Sequence, residues 1–330
     1  MSLGTRAMST SGTSKALETA LSTCTLVALV GCGGKLLETG DGGGAEGSGG
    51  DSGSATSSRS AACSELAKRW LVFDSDQGGP ARRLYAIRGD SGDLRELLPV
   101  HDGVFSQPAL SPDGARLAHV DSMTTYVHEV ATGAVILSFP GDQPAWSPDG
   151  TELAFHRDGG AWLVSLETRE EREVITCASC SFGGYQNPTF TPDGSALVVD
   201  RENRITSLDL HTGEARDVVM TGSVAISAPT ISADGLWVAA TASCDGNGIW
   251  ASEYSDLVAP CSGHLVTRGA PEAMNPAWGP GAWLAYERGA EGGEDRQLYI
   301  VNAETRDECP LVTEFDNRNP TWAPEGFTPP

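Results

Sequence analysis

The sequence predicts an all-β fold, a six-bladed β-propeller of four-stranded antiparallel blades whose C-terminal strand pairs with the N-terminal blade to close the ring. Three observations lead there. A proline-anchored motif recurs at intervals of 36, 44, 41, 47 and 44 residues, and periods of roughly 40–50 residues with several short strands per unit belong to propeller blades. Glycine (40) and proline (19) are abundant while long apolar runs at helical spacing are few, which favours short strands and many turns. The last copy of the motif breaks off at the chain end, and the first unit lacks the strand that this copy would supply.

Each copy explains one blade. The copies read PALSPDGARLAHV from Pro108, PAWSPDGTELAFH from Pro144 and PTFTPDGSALVVD from Pro188, then PTISADGLWVAAT from Pro229, PAWGPGAWLAYE from Pro276 and PTWAPEG from Pro320. The large residue at the position of Trp146, Phe190, Trp278 and Trp322 sits on a short strand and plugs the space between blades. Asp-Gly supplies the turn, because glycine takes a positive φ without a steric penalty. A buried strand follows, such as Leu153-Ala154-Phe155 or Leu284-Ala285-Tyr286, and then two more, as in Trp162-Leu163-Val164 and Glu173-Val174-Ile175. A meander of this kind cannot bury both faces alone, and radial stacking buries them. Residues 70–98 hold the later strands of one unit, Trp70-Leu71-Val72-Phe73 and Leu84-Tyr85-Ala86-Ile87. Pairing them with PTWAPEG removes the exposed edges of an open ring.

The copies at Pro108, Pro144 and Pro188 resemble the PD-repeat family of TolB-like six-bladed propellers, with the blade signature P-x-W-S-P-D-G-x-x-[LI]-[AV]-[FY]. The pattern is degraded at Ala233, and the copy at Pro276 lacks the Asp and is one residue shorter before Leu284. The resemblance implies contacts with other proteins of the bacterial cell envelope.

The first residues point to export. Leu21 to Gly31 is apolar but too short to span a bilayer. It follows Arg6 and Lys15 and ends in Leu29-Val30-Gly31-Cys32, the layout of a secretory leader; Met8 is an alternative start. The tetrad resembles the lipobox of bacterial lipoproteins, which implies cleavage before Cys32 and its diacylation. In residues 33–60, 10 of 28 are Gly and 6 are Ser. Such a segment buries too little apolar surface to order itself, and as a flexible coil it reaches ~30 Å. The expected organisation is a leader over 1–31, a lipidated Cys and tether over 32–62, and the propeller over 63–330. Gly33 in place of an Asp favours the outer membrane, at its periplasmic face or at the cell surface.

The formal net charge of −22 excludes nucleic acid as a partner, because that affinity rests on Lys and Arg neutralising phosphates. Six cysteines follow Cys32: Cys63, Cys177, Cys180, Cys244, Cys261 and Cys309. An even number in an exported chain reads as disulfides, with 15 connectivities open. Locality favours Cys177–Cys180 in one loop, Cys244–Cys261 within one blade, and Cys63–Cys309 pinning the N-terminal segment to the last blade. Cys177-Ala-Ser-Cys180 lies between strands with no second C-x-x-C, which disfavours a redox pair or a zinc site.

No catalytic residue, metal site or cofactor is expected. There is no G-x-S-x-G elbow, the six histidines show no H-x-x-x-H spacing, and the acidic stretches Asp74-Ser75-Asp76 and Glu294-Asp295 do not complete a calcium loop. His119 and His156 read as satisfied core or channel residues. One feature stands out. The residue before each anchoring proline is Gln107, Gln143, Asn187, Asn275 or Asn319, with Ala228 the exception. In a propeller these sit around one mouth of the channel, either satisfying local backbone groups or offering amides to a polar ligand. Mixed-charge loops such as Asp74–Arg83, Asp200–Arg204 and Glu287–Gln297 share that face. The reading is a monomeric, lipid-anchored platform for an envelope protein or polar ligand. Its rival is a single-domain propeller lyase, lactonase or glycan-processing enzyme working at the channel mouth.

Overall fold

The computed structural model describes residue 66 and residues 69–79, 81–89, 92–98, 103–176, 184–220, 224–244, 248–254, 263–267, 272–290 and 294–330. The chain separates into two units, Met1–Ala55 and Thr56–Pro330, and every described residue belongs to the second. The leader, Cys32 and the glycine-rich tether lie outside the described residues.

Six four-stranded antiparallel sheets form the six blades. Blade 1 is assembled from both chain ends: Asn317–Trp322, Trp70–Ser75, Arg83–Arg88 and Leu94–Leu97. Blade 2 runs Ser106–Leu110, Arg116–Asp121, Thr124–Glu129 and Val135–Pro140, and blade 3 Asp142–Trp146, Glu152–Arg157, Gly160–Ser165 and Glu171–Ile175. Blade 4 comprises Gln186–Phe190, Ala196–Arg201, Arg204–Asp209 and Ala215–Met220. Blade 5 comprises Ile226–Ile231, Trp237–Ala242, Gly248–Glu253 and His264–Leu265. Blade 6 ends the count with Met274–Trp278, Trp283–Gly289, Arg296–Asn302 and Glu308–Val312. The C-terminal strand pairs Trp322 with Leu71 and Thr321 with Val72, so the ring closes as the orphan motif predicts.

The core is divided among the blade joints. One apolar cluster joins blades 1 and 2 through Trp70, Leu84, Leu97, Phe105 and Leu117, and another joins blades 6 and 1 through Trp283, Leu298, Phe73 and Tyr85. Each of the other four joints has its own cluster. A fully buried Leu, Val or Phe stabilises by about 1.5–3 kcal/mol, and every cluster draws on two neighbouring blades, so the burial in each blade depends on its neighbours.

The Pro-Asp-Gly motif closes the first hairpin of a blade. In blade 3 the Ser147 hydroxyl donates to Asp149 Oδ1 at 2.7 Å, the same oxygen accepts from Thr151 N at 3.0 Å, and Ser147 Oγ accepts from Glu152 N at 2.9 Å. Asp113, Asp193 and Asp234 repeat the bracket, and the hydroxyl and backbone donors hold all four carboxyls below the usual range. The glycines at 114, 150, 194 and 235 take φ between 70° and 73°. Blade 6 reads Gly279-Pro280-Gly281 instead. A Cβ at Gly279 would lie 2.5 Å from the Trp322 ring, so the motif's Ser or Thr has no room there.

Cys244 and Cys309 are buried and neither is a free thiol. Cys63, Cys177, Cys180 and Cys261 lie outside the described residues.

Deleting residues 317–330 removes the strand that closes blade 1 and exposes two unpaired edges. The expected outcome is loss of the cooperative thermal transition, read by circular dichroism; a truncated chain that melts as sharply as the parent would refute strand-exchange closure as a source of stability.

Candidate functional site at the channel mouth

The six inner strands enclose a cavity of about 470 Å³, and Gln107, Gln143, Asn187, Ala228, Asn275 and Asn319 all line it. Each of these residues takes a positive φ, between 47° and 56°, although each is followed by proline. This left-handed region is uncommon for non-glycine residues, with Asn enriched. In every blade the strand register shifts at this point, for example between Ser106 and Ala109 or between Met274 and Ala277. The residue is therefore a β-bulge, which re-aims a side chain toward the channel. The proline beside it sits on the edge strand of its blade, where a missing N–H leaves no ladder bond unmade.

The bulges are held in a closed hydrogen-bonded circuit. Going round the ring, each bulge N–H donates to a side chain of the preceding blade. Gln107 N donates to Asp74 Oδ1 at 3.2 Å, Gln143 N to Gln107 Oε1 at 2.8 Å, and Asn187 N to Gln143 Oε1 at 2.8 Å. Ala228 N donates to Asp200 Oδ1 at 3.0 Å, Asn275 N to Thr241 Oγ1 at 2.9 Å, and Asn319 N to Glu287 Oε1 at 2.7 Å.

A simple rule relates the residue types. Asp74, Val120, His156, Asp200, Thr241 and Glu287 occupy matching positions on the second strands. Where that position holds a carboxylate, the bulge residue is Asn. Its Nδ2 donates to the carboxylate, as Asn187 does to Asp200, Asn275 to Glu287 and Asn319 to Asp74, each at 2.8 Å. Where the position holds Val120 or His156, the bulge residue is Gln, one methylene longer, and Gln itself accepts from the next blade. Where the bulge is Ala228, Thr241 accepts. Each predicted amide thus has one polar end in a joint, and among the described residues the other end has no hydrogen-bond partner. Amide type in the motif was visible in the sequence. The matching second-strand acceptor was not, because the resemblance between Asp74, Thr241 and Glu287 appears only once the strands are aligned.

Asp74, Asp200 and Glu287 are 0%, 4% and 1% exposed, so they are strand residues of the joints and not parts of exposed mixed-charge loops. Burial pushes Asp200 up to about 6 and Glu287 up to about 7, against the hydrogen bonds that favour their ionised forms. Burial also raises Asp74, although Arg82 Nε lies 2.6 Å from its Oδ2. Arg82 extends to Asp316 Oδ2 at 2.7 Å, and Arg318 Nε reaches the same oxygen at 2.9 Å, leaving Arg318 at the rim beside Asn319.

Three of the histidines are held by partners within the blades. His128 Nδ1 donates to the Gly133 carbonyl at 2.8 Å, so its Nε2 accepts from His119 Nε2 at 3.0 Å. His156 Nδ1 pairs with Asp142 at 2.7 Å. Among the described residues no group of three or more His, Cys, Asp or Glu is placed to hold a metal ion, and no helix is long and apolar enough to cross a membrane.

A family model described as the TolB β-propeller domain matches residues 101–326. The chain belongs to that family. No curated protein matches it by sequence. Among solved structures it is similar to TolB from Acinetobacter baumannii, at 23% identity and a TM-score of 0.66 over 79% of this chain and 68% of that one. A putative TolB from Agrobacterium tumefaciens follows at 16% identity and TM-score 0.59, over 76% and 90% of the two chains. An oligogalacturonate lyase in complex with manganese aligns at 14% identity and TM-score 0.51, over 74% and 73%. At these identities the likenesses show the fold.

Gln107→Asn shortens the acceptor that receives Gln143 N–H, with Val120 unable to replace it. The variant is expected to lose about 1–3 kcal/mol of stability, and adding Val120→Asp, which recreates the Asn–carboxylate pair, is expected to recover part of that loss in a denaturation double-mutant cycle. Glu287 yields a pH test. Its folded-state value lies above its ordinary 4.5, at about 7; between the two, folding takes up a proton, so stability falls as pH rises through that window. Glu287→Gln is therefore expected to gain on the parent between about pH 4.5 and 7, by on the order of 2–3 kcal/mol above it. A stability difference that is flat across that range contradicts the assignment.

Proposed function

We propose that this TolB-family propeller is an exported, lipid-anchored platform that holds a partner protein of the bacterial envelope at the amide-lined mouth of its channel. The observation that carries the reading is the commitment of the mouth's carboxylates to the blade joints. A general acid or base has to come within hydrogen-bond reach of the atoms it serves. Asp74, Asp200 and Glu287 are instead turned onto neighbouring backbone N–H groups and amides. The mouth presents the second ends of five amides, the Arg318 guanidinium and the hairpins at Asp121–Thr124, Arg157–Gly160 and Arg201–Arg204. Loops carried on a rigid scaffold are suited to recognising a protein surface. The TolB likeness supports an envelope partner. The single-domain enzyme requires a reacting group released from these joints.

In the same proposal Cys32 carries the lipid, residues 33–60 tether the propeller to the outer membrane, and the protein acts as a monomer. The disulfides are Cys63–Cys309, Cys177–Cys180 and Cys244–Cys261; the absence of free thiols at Cys244 and Cys309 supports two of them.

The test is in-cell crosslinking and affinity recovery of the full-length chain beside Cys32→Ala and Arg318→Glu, with intact mass to read lipidation. The expected result is one envelope protein recovered with the diacylated form, lost without the anchor and reduced by the rim substitution. An unmodified Cys32, or recovery indifferent to Arg318→Glu, refutes the corresponding half of the proposal.

A further inference from the structure

The joint between blades 5 and 6 departs from its counterparts on the face opposite the channel mouth, where the Pro-Asp-Gly turns lie. Three differences coincide there. The residue after the third strand, which donates its N–H to the first turn of the same blade, is Val130, Leu166, Leu210 or Tyr254 in blades 2 to 5, but Ala303 in blade 6 and Gly89 in blade 1, where the adjoining Trp283 is buried. The plug tryptophan also turns the other way. Trp146 and Trp322 donate their indole N–H to the preceding blade, at Ala109 and Ala277, whereas Trp278 donates to Gly281 of its own shortened turn at 3.1 Å. Finally, Trp237 begins the second strand of blade 5, at the position of Arg116, Glu152 and Ala196. Its counterparts Trp70 and Trp283 are buried against the next blade, while Trp237 stays partly exposed.

The result is an open cleft of about 500 Å³ between the two blades. Trp237 and Trp278 line it together with the small side chains of Ala251, Ala282 and Ala303. Asp234, His264, Glu304 and Arg306 line it as well, all exposed. The volume lies within the ~300–1,000 Å³ of small-molecule sites, which combine apolar walls with a few placed polar groups.

We propose that this cleft binds a pyranose ring of a neutral saccharide. An indole presents a flat apolar face with an electron-rich centre, which matches the ring of axial C–H groups on one side of a pyranose. The hydroxyls on the ring edge require both donors and acceptors. Arg306 and His264 supply the first, and Glu304 and Asp234 the second; Asp234 is held ionised by the Ser232 hydroxyl and Leu236 N–H. A quaternary ammonium ion also favours indole faces, but the Arg306 guanidinium on the rim opposes a cation. The other joints lack this combination. The neighbouring cleft between blades 4 and 5 has Ala196 where this one has Trp237, and Tyr254 fills the place of Ala303. The site is remote from the channel mouth, so its failure leaves the partner-binding reading untouched.

The experiment titrates the full-length protein with cellotriose, maltotriose and N,N′-diacetylchitobiose to low-millimolar concentration, reading tryptophan emission and calorimetric heat. At least one sugar is expected to saturate. Ala303→Leu refills the cleft with the bulk found in blades 2 to 5 and is expected to weaken that sugar about tenfold or more, equivalent to about 1.4 kcal/mol, with the melting temperature unchanged or raised. Glu304→Ala, on the exposed rim, keeps the test valid if the leucine misfolds, and is expected to weaken the same sugar several-fold. Silence from all three sugars, binding indifferent to both substitutions, or a response to tetramethylammonium in place of the sugars overturns the proposal.

Discussion

Each inner strand enters the channel through a residue at φ near +50° that is followed by proline, and six such residues stand in one ring. A left-handed non-glycine residue costs of order 1–3 kcal/mol and persists only where its surroundings over-determine it. Here the surroundings are the neighbouring blades. Every bulge N–H has an acceptor from the blade before it, so releasing one blade strands a donor at the next. The bulges, the prolines, the buried carboxylates and the closure of the ring by the two chain ends are consequences of that one circuit.

The apolar core obeys the same logic. It is partitioned into clusters that each bridge two blades, so stacking supplies the burial while the circuit links the inner strands. The circuit also explains why acids with raised proton affinity are kept in the joints. A carboxylate accepts from an Asn amide and a backbone N–H at once, which Asp200 and Glu287 both do. The cost of burial appears as their upward shifts. At the joint of blades 5 and 6 the cluster keeps Ile249, Leu284 and Tyr286 with Trp278 packed against it, while Trp237 stays partly exposed at its edge.

Much of this was legible in the chain. The motif spacing and the broken copy at Pro320 were enough for six blades and for closure, because a hairpin turn and its buried strand are local properties of about a dozen residues. The row of amides before the prolines was visible as well. Its meaning was not. Gln107 accepts from blade 3 because Val120 cannot, and Asn319 donates because Asp74 can. Those partners are separated by 36 and 245 residues, respectively. Trp278 likewise fits the plug pattern, yet its indole N–H donates to Gly281 of its own turn and not to the preceding blade.

The sequence by itself determined the repeat, the turn chemistry, the number of blades and the strand that closes the ring. These are fixed by periodicity and by backbone preferences of proline, aspartate and glycine. Tertiary structure alone decided which amides donate and which accept, which carboxylates are buried, and where a joint opens into a cleft. Such outcomes depend on which side chain stands opposite across a joint, and a propeller brings those partners together only when the ring is complete.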